Sequence, residues 1–162
     1  MSLFSRRTLL ALPALLAACG FAPVYGPGGS AEGLRGRVVV DPPRDTVGFE
    51  LVRQLEDRLG LAAAAQYRLT AEVFLSEEEL GITPDQEITR FNLLGRAVFQ
   101  LRDIGTDAIL SDGELTNFTS YSATGTPFAT QTARQSATDR LMSTLADQIV
   151  ARLLITAPEW RT

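Results

Sequence analysis

The chain has 162 residues, with 15 cationic and 19 acidic side chains for a formal charge of −4, a single cysteine, and neither lysine nor histidine. That length holds one domain with a modest core, and the acidic balance argues against nucleic acid as a partner, because neutralising phosphates needs a cationic face. Without histidine, a Ser-His-Asp triad, a Cys-His dyad and a histidine-based metal site are all unavailable, and neither a G-x-G-x-x-G nor a P-loop motif occurs.

The first residues run from the cations Arg6 and Arg7 through the apolar stretch Leu9 to Leu16 to the small pair Ala17 and Ala18. This is the three-part layout of a secretory signal peptide; it is too short for a permanent transmembrane helix, which needs roughly 20 apolar residues. Leu16-Ala17-Ala18-Cys19 resembles the lipobox of bacterial lipoproteins. That resemblance implies removal of residues 1–18, a diacylglycerol on the Cys19 sulfur and an N-acyl chain on the new N-terminus, with no other cofactor. Several acyl chains anchor stably where one gives only marginal binding. Gly20 stands where an aspartate would resemble an inner-membrane retention signal, which favours the outer membrane at its periplasmic face. Ser5-Arg6-Arg7-Thr8-Leu9-Leu10 also resembles a twin-arginine signal, so both export routes stay open.

Residues 19–34 are Gly- and Pro-rich, aperiodic, and read as the lipidated start and a flexible tether, leaving 35–162 as one domain. A short strand is expected over Gly36 to Asp41, stopped by Pro42 and Pro43. Asp45 or Thr46 can cap a helix in which Val47, Leu51, Leu55 and Leu59 recur every four residues, Arg53, Glu56, Asp57 and Arg58 form the polar side, and Gly60 ends it. From Tyr67 to Leu75 the period changes to two. "SEEEL", Ser76 to Leu80, is the densest acidic run and reads as part of a solvated turn. A second strand follows over Glu87 to Arg102, with Phe91, Leu93, Ala97, Phe99 and Leu101 on one face and Arg90, Asn92, Arg96 and Gln100 on the other. A third runs from Ala108 toward Gly125, with Gly113 a candidate bulge where the alternation changes phase. The last helix is expected from Thr132, with Gln135 at capping-box spacing, to about Ile155, and Pro158 closes it.

The order strand, helix, three strands, helix predicts an α+β two-layer sandwich, with both helices on one face of a mostly antiparallel four-stranded sheet. Every cation is arginine, an effect of base composition whose by-product is that any phosphate contact is made by a guanidinium fork.

"CGFAPVYG", the pair "ITRFNLLGRAVFQLRD" and "GELTNFTSYSATG", and the final "ATDRLMSTLADQIVARLL" together resemble the lipopolysaccharide-assembly lipoprotein family LptE in its alphaproteobacterial form, over nearly all of the mature chain. The resemblance implies a non-enzymatic outer-membrane lipoprotein that plugs a β-barrel translocon of the LptD type, assists its assembly and helps place lipopolysaccharide in the outer leaflet. Long strands and a polar exterior suit a barrel lumen. Arg68, Arg90 and Arg96 are candidate phosphate contacts. Asn117, Thr119 and Tyr121, in a hydroxyl- and amide-rich stretch, are candidate contacts to the barrel. For each residue a solvated strand face is the competing reading. Two other functions remain open: an accessory lipoprotein of a lipid-transporting ABC system, and a carboxylate-dependent hydrolase. The hydrolase would need two carboxyl groups about 5 to 10 Å apart in a cleft, and the expected elements bring no such pair together.

Overall fold

The computed structural model describes residues 33–82, 88–123 and 125–160, and within them the order is β-α-β-β-β-α. The elements are β1 (Val38–Val40), α1 (Thr46–Leu59), β2 (Tyr67–Ile82), β3 (Ile88–Asp103), β4 (Ile109–Ser122) and α2 (Pro127–Trp160). The signal segment, Cys19 and most of the expected tether lie outside the described residues. Gly33 and Leu34 are already buried, Leu34 as a core residue.

The four strands form one sheet in the order β1-β2-β3-β4, with β1 parallel to β2 and the other pairs antiparallel. Both helices pack on the same face. Alternation sends Leu69 and Val73 of β2, and Leu93, Ala97, Phe99 and Leu101 of β3, into the interface with Leu141, Leu145, Ile149 and Leu153 of α2. Each fully buried leucine contributes about 1.5–3 kcal/mol of transfer free energy.

The first helix begins as expected: the Asp45 carboxylate accepts from Gly48 N–H at 2.6 Å, and Gly60, at φ +74, closes it by donating to the Glu56 carbonyl at 2.8 Å. At 14 residues it is about 21 Å long. β2 and β3, at 16 residues each, and α2, at 34, are each about 50 Å long. α1 therefore covers only the half of the sheet near β1, and the other half, toward the β2–β3 turn, is backed by α2 alone.

Three expectations are corrected. "SEEEL" is strand, not turn: β2 continues to Ile82, with Glu77 opposite Leu93 and Glu78 opposite Asn92. The ladder with β3 continues through the acidic run, with Glu79 opposite Phe91, so pairing with a neighbouring strand overrides local propensity. The irregularity in β4 falls near Leu110, where Leu101 faces Ser111 and Arg102 faces Ile109, not at Gly113. Gly113 lies in register opposite Phe99 and leaves room for its ring, 3.1 Å from where a Cβ would stand. The last helix starts at Pro127 rather than Thr132, because proline at a first helical position loses no bond and the Thr126 hydroxyl accepts from Ala129 N–H at 3.3 Å. It also runs past Pro158 to Trp160, which packs edge-on against Tyr67 with ring centroids 5.2 Å apart.

Candidate functional site on the open sheet face

Among the described residues, neither helix covers the sheet face opposite the core. Strand alternation and register assemble it in rows: Arg68 beside Arg102, Phe74 beside Arg96 and Thr116, Leu94 beside Phe118, and Asn92 beside Ser120. Arg68, Arg90 and Arg96 all lie here. Arg96 is the most fixed of the three: its guanidinium sits 4.7 Å from the Phe74 ring centroid and pairs with Glu114 at 3.0 Å. Its charge is thus shared between an aromatic face and a carboxylate. Arg68 reaches Asp41 at 3.7 Å. Arg90 is exposed near the far end of β3. Arg96 lies six positions along β3 from Arg90, and six more lead to Arg102 opposite Arg68, so successive arginine backbone positions stand roughly 20 Å apart along the face. They form a line along the sheet instead of one phosphate pocket.

The other three candidates point to the helix side. Asn117 and Thr119 are partly buried there, and the Asn117 side-chain oxygen accepts from Phe118 N–H at 2.7 Å. Tyr121 is buried, stacks on Phe91 at 5.3 Å, and donates its hydroxyl to Glu77 at 2.8 Å. The hydroxyl-rich stretch is therefore split by the pleat: Thr116, Ser120 and Ser122 face outward with Phe118, while Asn117, Thr119 and Tyr121 face α2.

Sequence reasoning missed the aromatic and aliphatic members of this face. Phe74 and Phe118, 49% and 63% exposed, stand with Val98 and half-buried Leu94 among the polar residues. Their signal was present, since Phe74 continues the series Arg68, Thr70, Glu72 at a spacing of two. Arg102, beside Arg68, was missed as well; it donates to the Gln100 side chain at 2.8 Å and to the Asp107 carbonyl at 3.1 Å. A shallow depression of ≈ 530 Å³ on this face is lined by Glu72, Asp112 and Glu114 beside Gln100. Glu72 and Glu114 are already matched by Arg44 and Arg96. Among the described residues no group of three or more metal-ligating side chains is placed to hold an ion, and no helix is long and apolar enough to cross a membrane.

Fold and face together define a two-layer α+β domain whose distinctive surface is an exposed sheet carrying arginines and aromatics. The family model for lipopolysaccharide assembly, LptE, matches residues 36–153. The chain belongs to that family. A Rickettsia prowazekii (strain Madrid E) protein is 28% identical over 147 residues, which is 91% of this chain and 94% of its own. Two solved structures share the fold. One is a Caulobacter crescentus CB15 chain described as a lipoprotein, with a TM-score of 0.68 at 21% identity over 82% of this chain and 98% of that one. The other is rare lipoprotein B from Shewanella oneidensis, with a TM-score of 0.61 at 16% identity over 78% and 98%.

Proposed function

We propose that this protein is a lipid-anchored, non-enzymatic component of lipopolysaccharide assembly at the periplasmic face of the outer membrane. It occupies the lumen of an LptD-like β-barrel, assists the barrel's assembly and contacts lipopolysaccharide on the way to the outer leaflet. Acyl chains on Cys19 hold it at the membrane. The observation that carries this reading is the family match over residues 36–153, which takes in β1 through most of α2. The open face supports it: a long exposed sheet with arginines, hydroxyls and isolated aromatics offers hydrogen-bond partners to a polar lumen and guanidinium groups to phosphates.

The test is photocrosslinking in cells from probes at Thr116 and Ser122 on the open face, followed by purification under mild detergent. The expected product is a stoichiometric adduct with a large outer-membrane β-barrel. Adducts only with an inner-membrane permease, or recovery of the uncrosslinked monomer alone, overturn the proposal.

A further inference from the structure

The sheet has two exposed edges, and they are defended differently. Beyond Leu69, where β1 ends, β2 carries Glu72, Glu77, Glu78 and Glu79 and breaks register around Gly81. Charges and irregularities of this kind keep an edge from pairing with another chain. Among the described residues β4 has no strand neighbour on its outer side. Its near half is defended by the irregularity at Leu110 and by Asp112 and Glu114, but from Leu115 to Ser122 it carries no charge, no proline and no glycine. An uncharged, β-prone segment of that length on an open edge is the pattern that seeks a partner strand.

The outward-pointing backbone groups can be assigned. Ala123 N–H donates to the Thr89 carbonyl at 2.9 Å. Antiparallel alternation then directs the odd-numbered residues toward β3 and leaves the N–H and C=O of Thr116, Phe118, Ser120 and Ser122 pointing outward. Arg140 of α2 reaches over this edge and donates to the Ser120 carbonyl at 3.5 Å, which agrees with that assignment. The carbonyl keeps a second lone pair for a strand N–H.

We infer that Leu115 to Ser122 of β4 is a self-pairing surface, on which a second copy of this chain adds its own β4 antiparallel across a two-fold axis at Phe118. An antiparallel pair keeps facing residues on the same side of the sheet, so a continuous sheet requires the two-fold to pass through a residue position, and of those in the middle of the segment (Asn117, Phe118 and Thr119) only Phe118 sets the exposed ring against its own copy instead of against a hydroxyl side chain. Centring on Phe118 sets Phe118 against the partner's Phe118, Thr116 against the partner's Ser120, and Leu115 against the partner's Tyr121. Glu114 then meets the partner's Ser122, so no like charges face one another. Centring on Thr116 brings Asp112 and the Leu110 irregularity into the ladder, and centring on Ser120 shortens it. The exposed Phe118 ring gains an aromatic partner on the open face. A ladder from Glu114 to Ser122 is roughly 30 Å long. A single strand pair buries less than the about 800 Å² per partner of a stable complex, so the dimer is reversible and concentration-dependent. The inference does not rest on the barrel reading.

The mature lipoprotein in detergent is followed by sedimentation over a range of concentrations, and Phe118→Cys, Thr116→Cys and Ser120→Cys variants are mildly oxidised. The expected result is a concentration-dependent dimer, with disulfide formation at position 118. Positions 116 and 120 should stay unlinked, because each then lies about 13 Å from its own copy, beyond the about 7 Å that a disulfide spans. A double Thr116→Cys/Ser120→Cys variant should crosslink. Phe118→Lys, which sets two ammonium groups face to face, should remain monomeric with an unchanged unfolding midpoint. A wild-type monomer at every concentration, equal crosslinking at all three positions, or a dimer that survives Phe118→Lys overturns the inference.

Discussion

Glu77 is the residue on which the far half of the domain closes. Its carboxylate accepts from the Arg134 guanidinium and the Tyr121 hydroxyl, each at 2.8 Å, and so ties β2, β4 and α2 together where α1 does not reach. Burial pushes its pKa up, but the hydrogen bonds from Arg134 and Tyr121 outweigh that and hold it below the usual carboxylate range. Burial first, and then the same carboxylate, raise the Tyr121 pKa. A carboxyl group whose folded pKa is depressed stabilises the fold above its unfolded value of about 4.3, and that contribution is lost as pH falls through the folded pKa. Glu77→Gln should therefore lower stability by about 1 kcal/mol at pH 7. The gap between variant and wild type should narrow as pH falls through and below the carboxylate range; urea unfolding over a series from pH 7 downward measures it, and a gap that does not narrow with falling pH refutes the assignment. Tyr121→Phe, which leaves the ion pair intact, should cost less. None of this was legible in "SEEEL". The acidic run is plain, but its partners lie far along the chain, and only the pleat decides that Glu77 faces α2 while Glu78 faces water.

At the scale of elements, the helix–sheet and helix–helix seams rest on two positions with different demands. Gly95 of β3 lies under α2, and a Cβ there would stand 3.0 Å from Leu141 and 3.1 Å from Leu145. Gly95→Ala should cost about 1–3 kcal/mol through overpacking, read as a lowered midpoint in thermal unfolding; an unchanged midpoint would mean that the seam is loose. Arg58 clamps α1 to α2: it donates to Asp147 at 2.6 Å, to the Ser143 hydroxyl at 2.9 Å, and to both the backbone and side-chain carbonyls of Gln54 at 2.8 Å. Arg58→Ala should cost about 1–3 kcal/mol, and a double-mutant cycle with Asp147→Asn should show coupling. The Arg58 hydrogen bond, opposed by burial, depresses the Asp147 pKa, so that coupling should also fade as pH falls through the Asp147 titration.

The four-residue spacing along α2 was readable from Ala137 to Leu153. Its consequence was less so: a strict spacing of four drifts by about 40° per turn. Over the full helix the buried stripe therefore winds around the axis, as packing on a twisted sheet requires. Arg58 was placed on the polar side with Arg53, Glu56 and Asp57, and it does lie off the buried stripe. What spacing did not show is that this edge of α1 meets α2, which leaves the Arg58 side chain partly buried against Asp147.

At the scale of the whole molecule, the open face and the two edges are the surfaces left for partners. If the arginines of that face hold phosphates, Arg90→Ala with Arg96→Ala should reduce crosslinking to lipopolysaccharide by about tenfold, the loss expected from one or two charge-assisted hydrogen bonds, while the unfolding midpoint barely moves because both side chains are exposed. Unchanged crosslinking would shift the contact elsewhere. The sequence by itself determined the element order, a helix start at Asp45 or Thr46, the alternation that divides each strand into two faces, and the resemblance to the family to which the chain belongs. These depend on near neighbours along the chain, where periods of two and 3.6 residues and local capping act directly. Only the tertiary structure decided how far β2 runs, which hydroxyls of β4 face α2, that Arg58 joins the helices, and that one half of one edge is undefended. Those outcomes depend on register and on which strand lies next to which, and such contacts join residues that no local pattern links.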